Sequence, residues 1–172
     1  MNEEDAVVNL VALHGGRLVG KTRLQKGGYL LHRCGANLDS EFVYHHYGPY
    51  SFELAMGVKD ARAHERIAEE DRVGFHGIAY AIFSTEEVPV PMGGLSVERA
   101  KELSTRMDKE PNVVLELAAT IAFLRDDENY GSAAIKETKA RKPLKATPNY
   151  LRRARELLND LGLGSQAVPA RR

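Results

Sequence analysis

The segment Gly15–Thr22, Gly-Gly-Arg-Leu-Val-Gly-Lys-Thr, matches the phosphate-binding pattern G-x-x-x-x-G-K-[ST], and its surroundings restrict the fold of the whole chain. A loop of this kind follows a buried strand and opens the helix of a βαβ unit. Residues 5–14 instead carry apolar side chains at helical spacing, and no alternation of strands and helices follows. Nucleotide binding at 15–22, with Lys21 on a phosphate and Thr22 on magnesium, is therefore a minor alternative.

The composition is that of an ordinary globular protein. Of 172 residues, 43% are apolar and 28% are charged, and 24 basic residues balance 24 acidic ones. This balance gives no overall attraction to nucleic acid or to anionic membranes. Cys34 is the single cysteine, so an internal disulfide is excluded and a reducing, cytoplasmic location is expected. The chain has neither a long apolar run nor the basic start of a signal peptide, so we expect no membrane association.

Local signals in the first half predict three helices. The second should begin after Thr22, where Thr-Arg-Leu-Gln forms a capping box. Gly27-Gly28 lies within this helix, where glycine is unfavourable, and the pair indicates close helix packing. Ser51 is a typical N-cap and should begin the third helix.

Strand signals flank the third helix. Residues 42–47 are aromatic and favour a short strand, which Gly48-Pro49 should end. Residues 66–71 and 78–84 are separated by a glycine-containing turn. They predict a β-hairpin after a helix, as in the wing of a winged-helix domain.

A stretch rich in proline and glycine, 89–95, predicts a linker, and only helical patterns follow it. We therefore expect an α+β fold, mostly α, with a winged-helix-like N-terminal region that carries a β-hairpin and a C-terminal helical extension. The winged-helix-like region should span residues 1–88, the linker 89–95, the helical extension 96–163 and a disordered tail 164–172.

No pattern of catalytic or metal-binding residues stands out. His45 and His46 are adjacent in a predicted strand and would point to opposite faces. Cys34 has no C-x-x-C partner, and no G-x-S-x-G nucleophile motif occurs. The sequence therefore predicts a non-enzymatic protein with no metal and no cofactor.

Basic residues cluster in the last third of the chain. Glu137 is the one acidic residue that we expect to offset their charge. A solvated helical face explains such a cluster, but it could also contact nucleic acid or an acidic protein surface. The candidate basic patch consists of Lys139, Arg141, Lys142, Lys145, Arg152 and Arg153.

Aromatic residues are concentrated around the predicted strand at 42–47. The 7 Tyr and 5 Phe of the chain include five here: Phe42, Tyr44, Tyr47, Tyr50 and Phe52. Because no basic residue alternates with them, we expect a core cluster beneath the hairpin rather than a base-stacking platform. Tyrosine hydroxyls that line a groove for a peptide are the alternative.

Two sequence motifs carry a family resemblance. They are Gly20-Lys-Thr-Arg-Leu-Gln-Lys26 with Tyr29-Leu-Leu31, and Tyr47-Gly-Pro-Tyr-Ser-Phe-Glu-Leu54. Together they resemble the "G-R-T-R-L-Q-K-L-x-Y-L-L … Y-G-P-Y-S-x-E-L" pattern of prokaryotic YwgA-like proteins. More distantly they resemble the Panacea (SocA-type) antitoxin domains. Lys21 stands where the family usually has arginine, which explains the match to a phosphate-binding loop.

The Panacea resemblance implies a regulatory or antitoxin-like module that acts by binding another protein, such as a toxin. It brings no catalytic residues with it. The positions it points to as a candidate interaction surface are Arg23, Lys26, Tyr47, Tyr50 and Glu53. We expect Arg23 or Lys26 to pair with Glu53 and so to hold the Tyr-Gly-Pro turn against the second helix.

Overall fold

A computed structural model describes residues 1–164 of the chain. Its helices are α1 Glu3–Leu13, α2 Lys21–Leu31, α3 Phe52–Ala63, α4 Val97–Asp108, α5 Asn112–Asp126, α6 Ala134–Arg141 and α7 Pro148–Asp160. Its strands are β1 Arg17–Val19, β2 Val43–His45, β3 Gly48–Tyr50, β4 Ala68–Val73 and β5 Ala79–Ser84. The fold is therefore α+β and mostly helical, as predicted. All but the first residue of the tail predicted at 164–172 lies outside the described residues.

Most helix starts follow their sequence signals. The hydroxyls of Ser51, Ser96 and Thr147 each accept a hydrogen bond from the backbone N–H three residues further on. The start of α2 does not follow its signal: Gly20 precedes the helix, and no side chain caps it. The capping box at Thr22 is therefore wrong, and the side chain of Gln25 bonds to another helix start instead.

Three strands form a small antiparallel sheet in the order β1-β5-β4. The predicted hairpin is confirmed as β4 and β5, and β1 adds an edge strand that the sequence did not predict. Leu18 in β1 is buried opposite Phe83 in β5. Because β1 occupies the middle of the segment 15–22, that segment is not the open loop of a phosphate-binding site.

Strands β2 and β3 form a separate two-stranded hairpin, which we call the Tyr47 hairpin (residues 43–50). The predicted strand does end before Gly48, at His45, but Gly48 and Pro49 then belong to β3, a strand that the sequence did not predict. Both strands of a two-stranded sheet are edges, and an edge strand can accommodate a proline. Gly48 adopts a φ of +93°, which favours glycine.

One hydrophobic cluster contains residues from both sides of the segment 89–95. Helix α5 lies at its centre, is buried from Val114 to Leu124, and contacts α2, α6, α7 and β3. The segment 89–95 also packs: Met92 is fully buried, and the Asn9 side chain bonds to both the N–H and the C=O of Val90. The division of the chain at 89–95 stays a prediction.

No helix among the described residues is both long enough and apolar enough to cross a membrane.

Candidate functional site at the Tyr47 hairpin

Two neighbouring side chains of α2 hold the Tyr47 hairpin and the start of α3. The Gln25 carboxamide accepts from the N–H of Ser51 at 2.8 Å and donates to its C=O at 3.0 Å. The Lys26 ammonium donates to the C=O of Pro49 at 2.8 Å. Gln25 and Lys26 are 5% and 2% exposed, so these bonds lie in the interior. The Tyr-Gly-Pro turn is thus held against the second helix, as expected. The bonds join side chains of α2 to backbone atoms of Pro49 and Ser51 and do not involve the Glu53 carboxylate.

The expected partners of this contact are wrong. Glu53 accepts from the Ser51 hydroxyl at 2.9 Å, so it completes the start of α3 instead of pairing with α2. Arg23 points to the other side of α2, where it donates to the C=O groups of Met107 and Glu110. Arg23 therefore fastens the end of α4 to α2 and does not join the Tyr47 hairpin.

Next to the hairpin, two lysines pair with one buried carboxylate, whose charge also acts on a third lysine, Lys26. Glu116 of α5 is 4% exposed and accepts from Lys142 at 2.7 Å and from Lys145 at 2.8 Å. Burial lowers the pKa of Lys26 from its ordinary value of 10.5 to about 8. The charge of Glu116 opposes this shift, and the charges of Lys142 and Lys145 add to it. We call these four residues the lysine cluster.

Cations also contact the aromatic rings of the hairpin. The Lys145 ammonium lies 4.8 Å from the centroid of the Tyr47 ring, and the Arg141 guanidinium lies 4.5 Å from that of Tyr44. Both distances are within the range of a cation–π interaction. These contacts, from the lysine cluster and from the end of α6, therefore hold the hairpin next to α5.

Aromatic side chains of the hairpin and of the first turn of α3 contact one another at the surface. The ring of Tyr50 lies 5.1 Å from the rings of both His45 and Phe52. Tyr47 is 59% exposed, Phe52 58% and Met56 48%. We call the following residues the aromatic surface: His45, Tyr47, Tyr50, Phe52 and Met56.

The predicted core cluster of aromatic residues is thus only half right. Phe42 and Tyr44 pack against the hydrophobic core, and Phe42 contacts the ring of Tyr29 at 5.2 Å. Tyr47 and Phe52 face solvent instead. Tyr47 lies in the turn between β2 and β3, and Phe52 is the first residue of α3, so neither belongs to a strand of the hairpin.

The basic patch predicted in the last third of the chain carries more acidic partners than the sequence indicated. Arg141 pairs with Glu137 and Glu128, Lys142 and Lys145 share Glu116, Arg152 pairs with Glu156, and Arg153 pairs with Glu110. Lys139 is exposed and has no acidic partner among residues 1–164. The expectation that Glu137 alone opposes these cations is wrong, because α5 and the end of α4 supply distant carboxylates.

The remaining sequence candidates are dispersed. Lys21 forms an ion pair with Glu69 of β4 at 3.1 Å. Burial raises the pKa of the Cys34 thiol to about 11, so this thiol is a poor nucleophile at neutral pH. Within residues 1–164, no group of three or more His, Cys, Asp and Glu side chains is placed to hold a metal ion.

Sequence reasoning missed Glu116 and Met56. Glu116 lies within the apolar stripe of α5, and a carboxylate at a buried helical position was a signal that a cation must lie opposite it. Met56 follows Phe52 by four residues, the spacing that places two side chains on one face of a helix.

No protein-family model matches the chain. The uncharacterized protein YwgA of Bacillus subtilis (strain 168) is 25% identical to it over 135 residues. The matched region covers 74% of this chain and 80% of that protein. The similarity supports the resemblance to YwgA-like proteins, whereas the resemblance to Panacea domains stays a prediction.

Proposed function

We propose that the protein is a non-enzymatic regulatory module that binds a protein partner through the aromatic surface. The observation that carries this proposal is the contact among the rings of His45, Tyr50 and Phe52, on a hairpin whose turn carries the exposed Tyr47. Single exposed apolar residues are common on soluble proteins, but contiguous patches mark interaction sites. Tyrosine and other aromatic residues are enriched at protein interfaces.

The scaffold beneath the surface favours binding because it keeps the rings in place. Gln25 and Lys26 fix the backbone at Pro49 and Ser51, and Lys145 contacts the Tyr47 ring. A preorganised side chain loses less conformational entropy when a partner orders it. The aromatic surface therefore resembles the rigid centre of an interface more than a mobile loop.

The charge next to the aromatic surface indicates the chemistry of the partner. The lysine cluster has three ammonium groups and one carboxylate, and the Lys145 side chain is 42% exposed. Leu144, which precedes Lys145, is 95% exposed. We propose a partner segment with an apolar anchor for the rings and a carboxylate for Lys145. The Panacea resemblance suggests that this partner is a toxin.

The test is capture of the partner by the tagged full-length chain in its native cells, quantified by mass spectrometry. The wild type should retain one partner in stoichiometric amount. Tyr47→Ala and Phe52→Ala should each lose most of it, because both remove exposed rings. Phe75→Ala is the matched control: Phe75 is 94% exposed but lies between β4 and β5, so its removal should leave capture unchanged.

Binding at the aromatic surface predicts that capture depends on Tyr47 and Phe52 and does not depend on Phe75. If wild type retains no stoichiometric partner under several growth conditions, the proposal is wrong. It is also wrong if Phe75→Ala reduces capture as much as Phe52→Ala. Urea unfolding of each variant excludes loss of the fold as the cause.

The element order supports a winged-helix-like character for residues 1–88. Three helices precede the β4–β5 hairpin, and β1 joins this hairpin in one antiparallel sheet. Nucleic-acid binding through the basic 136–155 region stays an alternative with less support, since most of its cations have acidic partners. A gel shift at low salt tests it, with Lys139→Ala as the variant that removes a cation without an acidic partner in residues 1–164.

A further inference from the structure

A cleft of about 1080 Å³ lies between α5, α7 and the loop that connects α5 to α6. No residue of the aromatic surface is among the described residues that line it. Pockets for small molecules in proteins typically enclose about 300–1,000 Å³ and combine an apolar wall with a few polar groups. The size of this cleft therefore suits a small organic ligand.

One wall of the cleft is cationic and preorganised. Arg125 donates to both carboxylate oxygens of Asp126, at 2.7 and 2.8 Å, and Arg33 donates to Asp126 at 3.1 Å. Burial alone would raise the pKa of Asp126, but the hydrogen bond and charge of Arg125 and the charge of Arg33 outweigh it and lower the pKa. Asp126 therefore stays ionised at neutral pH and holds the two guanidinium groups at the cleft.

The guanidinium groups keep donors that residues 1–164 do not use. A guanidinium carries about five N–H donors, and Arg125 uses three, two to Asp126 and one to the C=O of Leu163. Arg155, on α7, also lines the cleft and has no acidic partner among residues 1–164. Arg33 also pairs with Asp127 at 3.5 Å. Three guanidinium groups thus face two carboxylates, and the remaining positive charge, that of Arg155, favours an anion.

The cleft also has apolar lining. Ile121, Ile135 and Leu158 contribute to it, and each comes from a different helix. A ligand that consists of an anion alone would leave this apolar lining hydrated. A ligand with an apolar body would cover it and gain about 25 cal/mol for each Å² of apolar surface removed from water.

We propose that the cleft binds a small organic anion. Its phosphate or carboxylate group contacts Arg155 and the free donors of Arg33 and Arg125, and its apolar body lies on Ile135 and Leu158. This site is separate from the aromatic surface, so it adds a ligand to the proposed binding module and does not depend on the protein partner.

The test uses the ¹⁵N-labelled full chain and a series of NMR titrations. The probes are 1-naphthyl phosphate and 1-naphthoate, which combine a ring with an anion, and 1-naphthol and inorganic phosphate, which each carry one of the two features. At least one of the combined probes should saturate, with a Kd about tenfold or more below that of either single-feature probe, and should shift amides of residues 131–135 and 158–163. If neither combined probe saturates, or if the shifts centre on the aromatic surface, the proposal is wrong. A preference between the two combined probes identifies the anionic group.

Two arginines on α7 provide a matched pair of variants. Arg155→Ala should raise the Kd of the combined probe about tenfold, the loss of one charge-assisted contact. Arg152→Ala should leave the Kd unchanged, because Arg152 lies outside the cleft and pairs with Glu156. Arg155→Lys should recover some of the affinity by keeping the charge. Equal affinities of wild type and Arg155→Ala, with both spectra folded, would overturn the assignment.

Discussion

The carboxamide of Gln25 pairs with the backbone of Ser51 through two hydrogen bonds of 2.8 and 3.0 Å. Both residues are buried, and the two bonds use the N–H and the C=O of Ser51 as a neighbouring strand would. Ser51 is also the N-cap of α3, whose first residue is Phe52. The position of the aromatic surface therefore depends on an interior side chain of α2.

Replacement of Gln25 by alanine should destabilise the protein strongly. Gln25→Ala leaves the buried N–H of Ser51 without its partner, and we expect the free energy of unfolding to fall by about 2–4 kcal/mol. Urea unfolding followed by circular dichroism measures this. Thr22→Ala is the control on the same helix: it should change stability by less than about 0.5 kcal/mol, since Thr22 caps nothing. A loss near 1 kcal/mol at Thr22 would instead restore the capping box.

The adjacent glycines of α2 should respond differently to alanine. A Cβ at Gly27 would meet no atom within 4 Å, whereas one at Gly28 would lie 3.1 Å from Leu54 and 3.3 Å from Leu10. Gly27→Ala should stabilise the protein by about 0.5–1 kcal/mol through helix propensity. Gly28→Ala should be less stable than Gly27→Ala, because Leu54 and Leu10 are fully packed. Thermal unfolding of the two variants tests this, and equal melting temperatures would contradict it.

The close packing that the sequence predicted for Gly27-Gly28 thus holds at one position of the two. Local signals identified the starts of several helices. A capping hydroxyl acts on the amide three residues away, so the N-caps Ser51 and Thr147 could be identified without knowledge of the tertiary structure. The edge strand β1 was not identifiable in this way. It has three residues, too few for an alternating pattern, and it pairs with β5, which begins at Ala79.

The candidate site was predictable in its positions but not in its contacts. Lys26, Tyr47 and Tyr50 were identified from motifs, and they do lie at one hairpin. The partners of Lys26 and Glu53 were wrong because the choice among carboxylates and carbonyls depends on tertiary packing. Glu116 pairs with Lys142, which lies 26 residues further along the chain. Helical and strand periodicity relate only residues that are close in sequence, so they could not predict this pair.

The buried ammonium of Lys26 should make stability depend on pH. Its pKa is lowered from 10.5 to about 8 in the folded state. Between these two values the unfolded chain binds more protons than the folded protein, so this group makes stability rise with pH across the window, by about 1.4 kcal/mol per pH unit at most. Cys34, whose pKa is raised from 9.0 to about 11, opposes this rise above pH 9.

The variant Lys26→Met isolates this contribution because it retains Cys34. The difference in free energy of unfolding between wild type and Lys26→Met should shift in favour of wild type as the pH rises from 7.5 to 10. Urea unfolding across that range measures it. A difference that is independent of pH would show that the ammonium keeps its ordinary pKa.

The carboxylate of Glu116 should contribute far more to stability than an exposed one. Glu116→Gln removes the charge that the buried Lys142 and the nearby Lys145 share, and an uncompensated buried charge typically costs about 3–5 kcal/mol. Glu156→Gln is the control: it breaks the exposed pair with Arg152 and should cost about 0–1 kcal/mol. Urea unfolding of both variants at pH 7 gives the comparison. If Glu116→Gln and Glu156→Gln lose the same stability, the lysine cluster is solvated, and its excess positive charge no longer supports an acidic partner.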